Sequence, residues 1–348
     1  MNIDNNNFLA QIAEKTHIYE GKEGIRSILR TIYTHAPIGT KGVSKYTQIP
    51  IPVISAVRRE LEQADILIRK NGMLLSDSGM QYVRDVLKFG KDLQLTKHDI
   101  LAPNFVVPET MHSLVDQMRK YVQEAPKFDA TLDQAPCTAE TALRRALLMY
   151  VQGAIEGKHI ALIGDDDLVS IALCLVARYV GGVQIIPRLT VLELDTRFIA
   201  YIESIATKQN FPIKCIRHDM RQSLPEDLLH KFDVIETDPP YSAAGALLFL
   251  SRGVELLAQE PEKLLFLSFA HWPTDKKIEL EKIFSKLGLS VENQHRGFNL
   301  YQGASILGST STLFELRTSS QIHSLFAHKT FTGSIYTASQ AKTKNYIK

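Results

Sequence analysis

The residues of this chain best suited to chemistry lie in four short stretches where carboxylates follow apolar runs. In the first, an apolar run from His159 ends on Gly164 and passes at once into Asp165, Asp166 and Asp167. Strand-to-helix turns that bind phosphates carry several glycines, which let an anion approach backbone N–H groups. Acids stand in that place here, so the turn suits a cation better than an anion. A solvated cluster capping the next helix is the plainer reading, but one helix needs only one cap. The second stretch closes on Glu193-Leu194-Asp195. One carboxylate there can accept from both hydroxyls of a ribose, with Glu193 the first candidate and Asp195 the second. The third, Arg217-His218-Asp219-Met220-Arg221, offers Asp219 either as acceptor for an exocyclic amine such as adenine N6 or as an ordinary turn acid. The fourth is Asp238-Pro239-Pro240-Tyr241. Its prolines remove two backbone donors and leave nearby carbonyls free to accept. An amine held between Asp238 and Tyr241 can lose a proton and present its lone pair.

The elements that must position these residues follow from periodicity. Between residues 159 and 316 strand-length apolar runs alternate with helical patterns, which predicts an α/β fold with a parallel sheet and helices on both faces. Strands are expected at 159–163, 190–194, 213–217, 232–236 and 264–269, and near 289–294 and 312–317, with helices at 168–180, 196–209, 243–258 and 275–286. Ligands of such sheets bind beyond the strand C-termini near the switch in strand order. The four stretches all fall there. Upstream, Thr138 is a suitable N-cap for a helix over 139–154. Residues 98–137 read as a connector punctuated by Pro103, Pro108, Pro126 and Pro136, with a helix at 109–122 and with Asp133 and Gln134 either closing over a ligand or lying in solvent. Before it, two helical patterns, a third helix over 53–64 and a hairpin over 66–75 turning at Asn71-Gly72 give the order helix, helix, helix, wing. That order resembles a winged helix-turn-helix. It reads as a DNA-binding module or as one that packs on a neighbour or a second subunit. The segments expected are 1–97, 98–137, 138–318 and a tail, 319–348, that is polar and basic with Lys329, Lys342, Lys344 and Lys348.

Composition narrows the function classes. The 348 residues exceed what one core usually serves, and a net charge of +2 argues against a protein built mainly to hold duplex DNA. The three cysteines, Cys137, Cys174 and Cys215, are too few and too scattered for a disulfide framework or a zinc knuckle, so a reducing cytoplasm is expected. Neither a signal peptide nor an apolar run of about 20 residues is present, so no membrane association is expected.

Asp-Pro-Pro-Tyr at a strand end is similar to the motif of amine-directed alkyl transfer in the class I methyltransferase-like, Rossmann-like fold. A methylating sulfonium donor carries a carboxylate, and three aspartates would repel it: unit charges about 4 Å apart interact by roughly 4 kcal/mol at an effective dielectric of about 20. A decarboxylated donor has only positive groups, which acids attract. With Gly164-Asp165-Asp166-Asp167, Asp238-Pro239-Pro240-Tyr241 and the N-terminal winged helix, the chain closely resembles the branched-chain polyamine synthases, the N4-bis(aminopropyl)spermidine synthases. Further similarity lies at Asp133-Gln134, at Arg296-Gly297-Phe298-Asn299 and at Gly333-Ser334-Ile335-Tyr336-Thr337, where part of the tail is expected to fold over the acceptor as a lid.

The resemblance implies transfer of aminopropyl groups from decarboxylated S-adenosylmethionine, as co-substrate, to the secondary amine of spermidine. Asp165 is the expected proton acceptor, with Asp238 second and Tyr241 lining the acceptor site. Gly164, Asp166, Glu193, Asp195 and Asp219 would hold the donor. Asp133, Asp165, Asp167, Asp238, Pro239 and Tyr241 would hold the polyamine, Asp166 and Asp167 also being candidate helix caps. The connector has no cysteine pair, so no metal is expected. A homodimer is expected, and nucleic acid is not an expected partner. The alternatives are an amino-directed methyltransferase acting on DNA adenine or a small amine, which leaves the acidic turn unexplained, and a transcriptional regulator that senses a small molecule.

Overall fold

The computed structural model describes residues 5–302 and 310–337, so Lys342, Lys344 and Lys348 lie outside the described residues. The chain divides into two compact units, one ending at Leu93 and the other beginning at Gln94. In the first, helices α1 (Asn5–Thr16), α2 (Gly21–His35), α3 (Thr40–Thr47) and α4 (Ile51–Gln63) precede an antiparallel hairpin of β1 (Leu67–Arg69) and β2 (Met73–Leu75) and the short α5 (Asp77–Gln81). Apolar residues three and four apart, Ile25, Ile28, Leu29 and Ile32 on α2 and Ile54, Val57 and Leu61 on α4, bury one face of each helix in a shared core. The hairpin turns at Asn71 and Gly72, both at positive φ, as expected of that pair.

The second unit opens with α6 (Lys97–Leu101), α7 (His112–Glu124) and α8 (Ala139–Val151). Strands and helices then alternate: β3 (His159–Ile163), α9 (Val169–Val180), β4 (Arg188–Glu193), α10 (Thr196–Gln209), β5 (Ile213–Arg217), β6 (Val234–Thr237), α11 (Ala243–Leu256), β7 (Leu264–Phe269), α12 (Thr274–Lys286), β8 (Leu289–Leu300) and β9 (Thr310–Thr318). The sheet order is β5-β4-β3-β6-β7-β9-β8, parallel from β5 to β7 and antiparallel at β9 and β8. The first five strands fall within two residues of their expected bounds. The last two are longer than expected, because Gly297, at φ 67, interrupts the alternation where the ladder shifts register between His295 and Asn299.

The order reverses at β3, which pairs with β4 on one side and β6 on the other. The chain runs outward through β4 to β5 and returns to β6, so the loops after β3, β4, β5 and β6 share one end of the sheet. Strands β3, β6 and β7 are buried over almost all their length, as a parallel sheet between helices requires. Among the described residues no helix is long and apolar enough to cross a membrane.

Candidate active site

The turn after β3 is set by Gly164, whose φ of 76 favours glycine. Its three aspartates have different surroundings. Asp165 is 2% exposed, and its carboxylate accepts the Ser170 N–H at the start of α9, both oxygens lying 3.3 Å away. Asp165 is therefore the cap, a place the sequence had offered to Asp166 or Asp167. Leu168, at φ 56, ends the turn, and α9 starts one residue later than expected. The Asp167 carboxylate accepts from the Cys137 N–H and from Arg145 at 2.6 Å. Asp166 is half-buried, and its carboxylate has no hydrogen-bond or ion-pair partner among the described residues. Burial and the charges of Asp167, Glu193, Asp238 and Asp165 hold it well above the usual carboxylate range.

A cleft of about 600 Å³ lies across the ends of β3, β4 and β5, lined by Gly164, Asp166, Glu193, Asp219, Phe249 and Tyr336 among others. Glu193 accepts three N–H groups, from Asp165 at 2.9 Å and from Leu194 and Asp195 at 2.7 and 2.8 Å. Burial still pushes its carboxyl up. Asp219 lies on the same wall and is paired with Arg221 at 2.6 Å, whose hydrogen bonds hold it below the usual range. Asp195 lies on neither this cleft nor the next. It caps α10, pairs with Arg197 and accepts from Gln134 at 3.2 Å.

A second cleft, of about 390 Å³, adjoins the first and is lined by Asp133, Asp166, Asp167, Asp238, Pro239, Tyr241 and Tyr301. Behind it stands Arg145 of α8, 1% exposed, which the sequence reading missed. Its guanidinium donates to Asp167 at 2.6 Å, Glu236 at 3.3 Å, Asp238 at 3.0 Å, Asn299 at 2.8 Å and the Tyr301 hydroxyl at 3.1 Å. The Tyr301 hydroxyl donates to Asp238 at 2.6 Å and accepts from Tyr241 at 2.9 Å. Burial raises Asp238 to about 7 against the pull of Arg145, and raises Glu236 well above its ordinary value. The acids at and behind this cleft thus gather around one buried guanidinium. Arg145 had one signal in the sequence, a charge on the buried face of α8 with Ala142 and Met149. Tyr301 had none.

The described tail reaches both clefts. The Ser242 hydroxyl donates to the Ile335 carbonyl at 2.6 Å, and both oxygens of Asp133 accept from Thr337, from its N–H and its hydroxyl, each at 2.8 Å. Ile335 and Tyr336 line the first cleft and Thr337 the second. Among the described residues no group of three or more His, Cys, Asp or Glu side chains is arranged to hold a metal ion.

An α/β sheet switching at β3, with acids at four strand ends, is the architecture of the class I methyltransferase-like folds. Residues 113–339 match the model of the branched-chain polyamine synthase A C-terminal domain, so the chain belongs to the branched-chain polyamine synthase family. An uncharacterized protein of Methanocaldococcus jannaschii is 36% identical over 309 residues, 88% of this chain and 77% of that one. The N(4)-bis(aminopropyl)spermidine synthase of Thermococcus kodakarensis is 27% identical over 297 residues, 84% of this chain and 82% of the enzyme. The fold is similar to that of the branched-chain polyamine synthase from Thermus thermophilus in complex with N4-aminopropylspermidine and 5'-methylthioadenosine, at a TM-score of 0.57 and 19% identity, covering 96% of this chain and 98% of that one.

Proposed function

We propose that the protein moves aminopropyl groups from decarboxylated S-adenosylmethionine to the secondary amine of spermidine and then to the tertiary amine so formed, giving N4-bis(aminopropyl)spermidine. The observation that carries this reading is Asp166, an unpaired carboxylate shared by the nucleoside-sized cleft and the Asp-Pro-Pro-Tyr cleft. The turn is also poorly suited to a donor carboxylate, because the Asp165 N–H is taken by Glu193 and the remaining charge is negative. The named synthase of T. kodakarensis and the polyamine and thionucleoside in the T. thermophilus complex support the same reading.

Glu193 would take the ribose hydroxyls and Asp219 the adenine amine. The acceptor arrives as an ammonium and gives its proton to the Asp166 carboxylate. Its lone pair attacks the methylene carbon next to the sulfonium, the C–S bond breaks, and the electron pair goes to sulfur, leaving neutral 5'-methylthioadenosine. In the first round a second proton leaves and a tertiary amine results; in the second round a quaternary ammonium forms and keeps its charge. The proton acceptor first assigned to Asp165 is reassigned to Asp166, because Asp165 is occupied as a helix cap and lies on neither cleft. Asp238, Pro239, Asp167 and Tyr241 would shape the acceptor site, and Asp133 would act through the tail, as the latch of a lid. The test is a pair of variants. Asp166→Asn should lower kcat by about 10²–10⁴-fold while still binding 5'-methylthioadenosine, and Asp165→Asn should keep most of its turnover. The reverse pattern would return the role to Asp165.

The run of α2, α3 and α4 into the hairpin, with α1 added before it, supports reading residues 1–97 as a winged helix-turn-helix module, followed by a connector (98–137), the transferase domain (138–318) and the tail; we infer that two copies join through this module in a homodimer. Sedimentation of the chain at twice its own mass would bear out the dimer, and a monomer would refute it. Free cysteines at 137, 174 and 215 support a cytoplasmic location, which cell fractionation tests.

A further inference from the structure

A third cleft opens from the same point. It spans about 540 Å³, open solvent included, between the end of α7 and the turn after β3, with walls of Ala125, Pro126, Phe128, Pro136, Leu168 and Phe198. Asp166, Asp167 and the exposed Lys127 line it as well. Asp166 is common to this cleft, the Asp-Pro-Pro-Tyr cleft and the nucleoside-sized cleft, and is the one described residue lining all three. Asp167 lines the second and third.

Three spaces meeting at one free carboxylate match the shape of a branched amine. A secondary amine that aims its lone pair into the donor cleft must send its two arms elsewhere, and the second and third clefts supply two directions. We propose that the third cleft holds one alkylammonium arm of the acceptor while the Asp-Pro-Pro-Tyr cleft holds the other; this rests on the aminopropyl-transfer reading above. The arm's methylenes pack on the apolar walls, with the reacting nitrogen at Asp166 and Asp167. Its terminal ammonium reaches water near Lys127, whose charge disfavours it there. The arm in the second cleft lies against Tyr241 and Tyr301.

The test uses two variants and two acceptors, with affinity for the protein loaded with 5'-methylthioadenosine measured by calorimetry beside KM for transfer. Ala125→Trp fills the third cleft and should weaken spermidine at least ten-fold, while N-methyl-1,3-diaminopropane, in which a methyl replaces one arm, changes less than about two-fold. Lys127→Glu, a surface change that spares the core, should strengthen spermidine about two- to five-fold and leave the short amine unchanged, the size expected of one exposed charge pair. Equal effects on both acceptors, or none, would overturn the assignment. Selective effects on affinity in a protein that transfers nothing would uphold the cleft and refute the transfer reading. No spermidine binding to the unaltered protein would refute both.

Discussion

Burial raises Asp165 to about 8 and Asp238 to about 7, from an ordinary 3.8, so the folded protein keeps two protons that an unfolded chain would release. Their contribution to stability is fully present below the unfolded value and is lost as pH rises through about 7 and 8. Asp165→Asn removes one of these groups while its amide oxygen can still accept from Ser170. The melting temperature of the variant should therefore gain on the unaltered protein as pH rises from about 4 to about 8, read by thermal scans at fixed ionic strength. Parallel curves would mean that Asp165 is already ionised in the folded state. At this scale the acidic turn beyond β3 was legible, but which of its three aspartates caps the helix and which faces the clefts could not be read. Asp165 and Asp166 are the same residue type one position apart, and only the left-handed Leu168, which sets where α9 begins, decides which becomes the cap.

Helix α8 sends Arg145 behind three acidic groups that come from the turn after β3 and the end of β6. A guanidinium so enclosed binds these loops together, and its removal leaves Asp167, Glu236 and Asp238 without their cation. Removing one partner of such a buried pair costs about 3–5 kcal/mol, so Arg145→Met should lose that much in denaturant titrations. The loss should be smaller below about pH 7, where Asp238 takes up a proton, than above it. A loss independent of pH would point to packing alone. The tail is a second tie between elements. Thr337→Val removes a hydroxyl that donates to Asp133 and should raise KM for the polyamine several-fold, with affinity for 5'-methylthioadenosine little changed. Unchanged acceptor KM would remove the tail from the site. Strands and helices were legible because parallel strands buried on both faces are short continuous apolar runs. The pairing of Arg145 with groups more than twenty and more than ninety residues away was not, since nothing in a linear pattern says which buried charge faces which strand end.

Across the whole molecule the net charge of +2 is nearly neutral, while the clefts gather Asp133, Asp166, Asp167, Glu193 and Asp238 at one end of the sheet. Acids gathered so closely, several of them raised by burial and mutual repulsion, are relieved by a polycation and made worse by a donor that carries a carboxylate. The four acidic strand ends were legible from sequence because the fold places loops by topology, whereas the strand order, with β9 and β8 antiparallel, was not. The partition of the space into three clefts depends on the connector and the tail, whose irregular segments carry no periodicity to read. Aminopropyl transfer is tested most directly by incubating spermidine with the protein and either decarboxylated or ordinary S-adenosylmethionine, with products followed by mass spectrometry. Two successive aminopropyl additions from the decarboxylated donor, and no transfer from the ordinary one, are predicted; methylation of spermidine or of another amine by the ordinary donor, with no aminopropyl product, would contradict it.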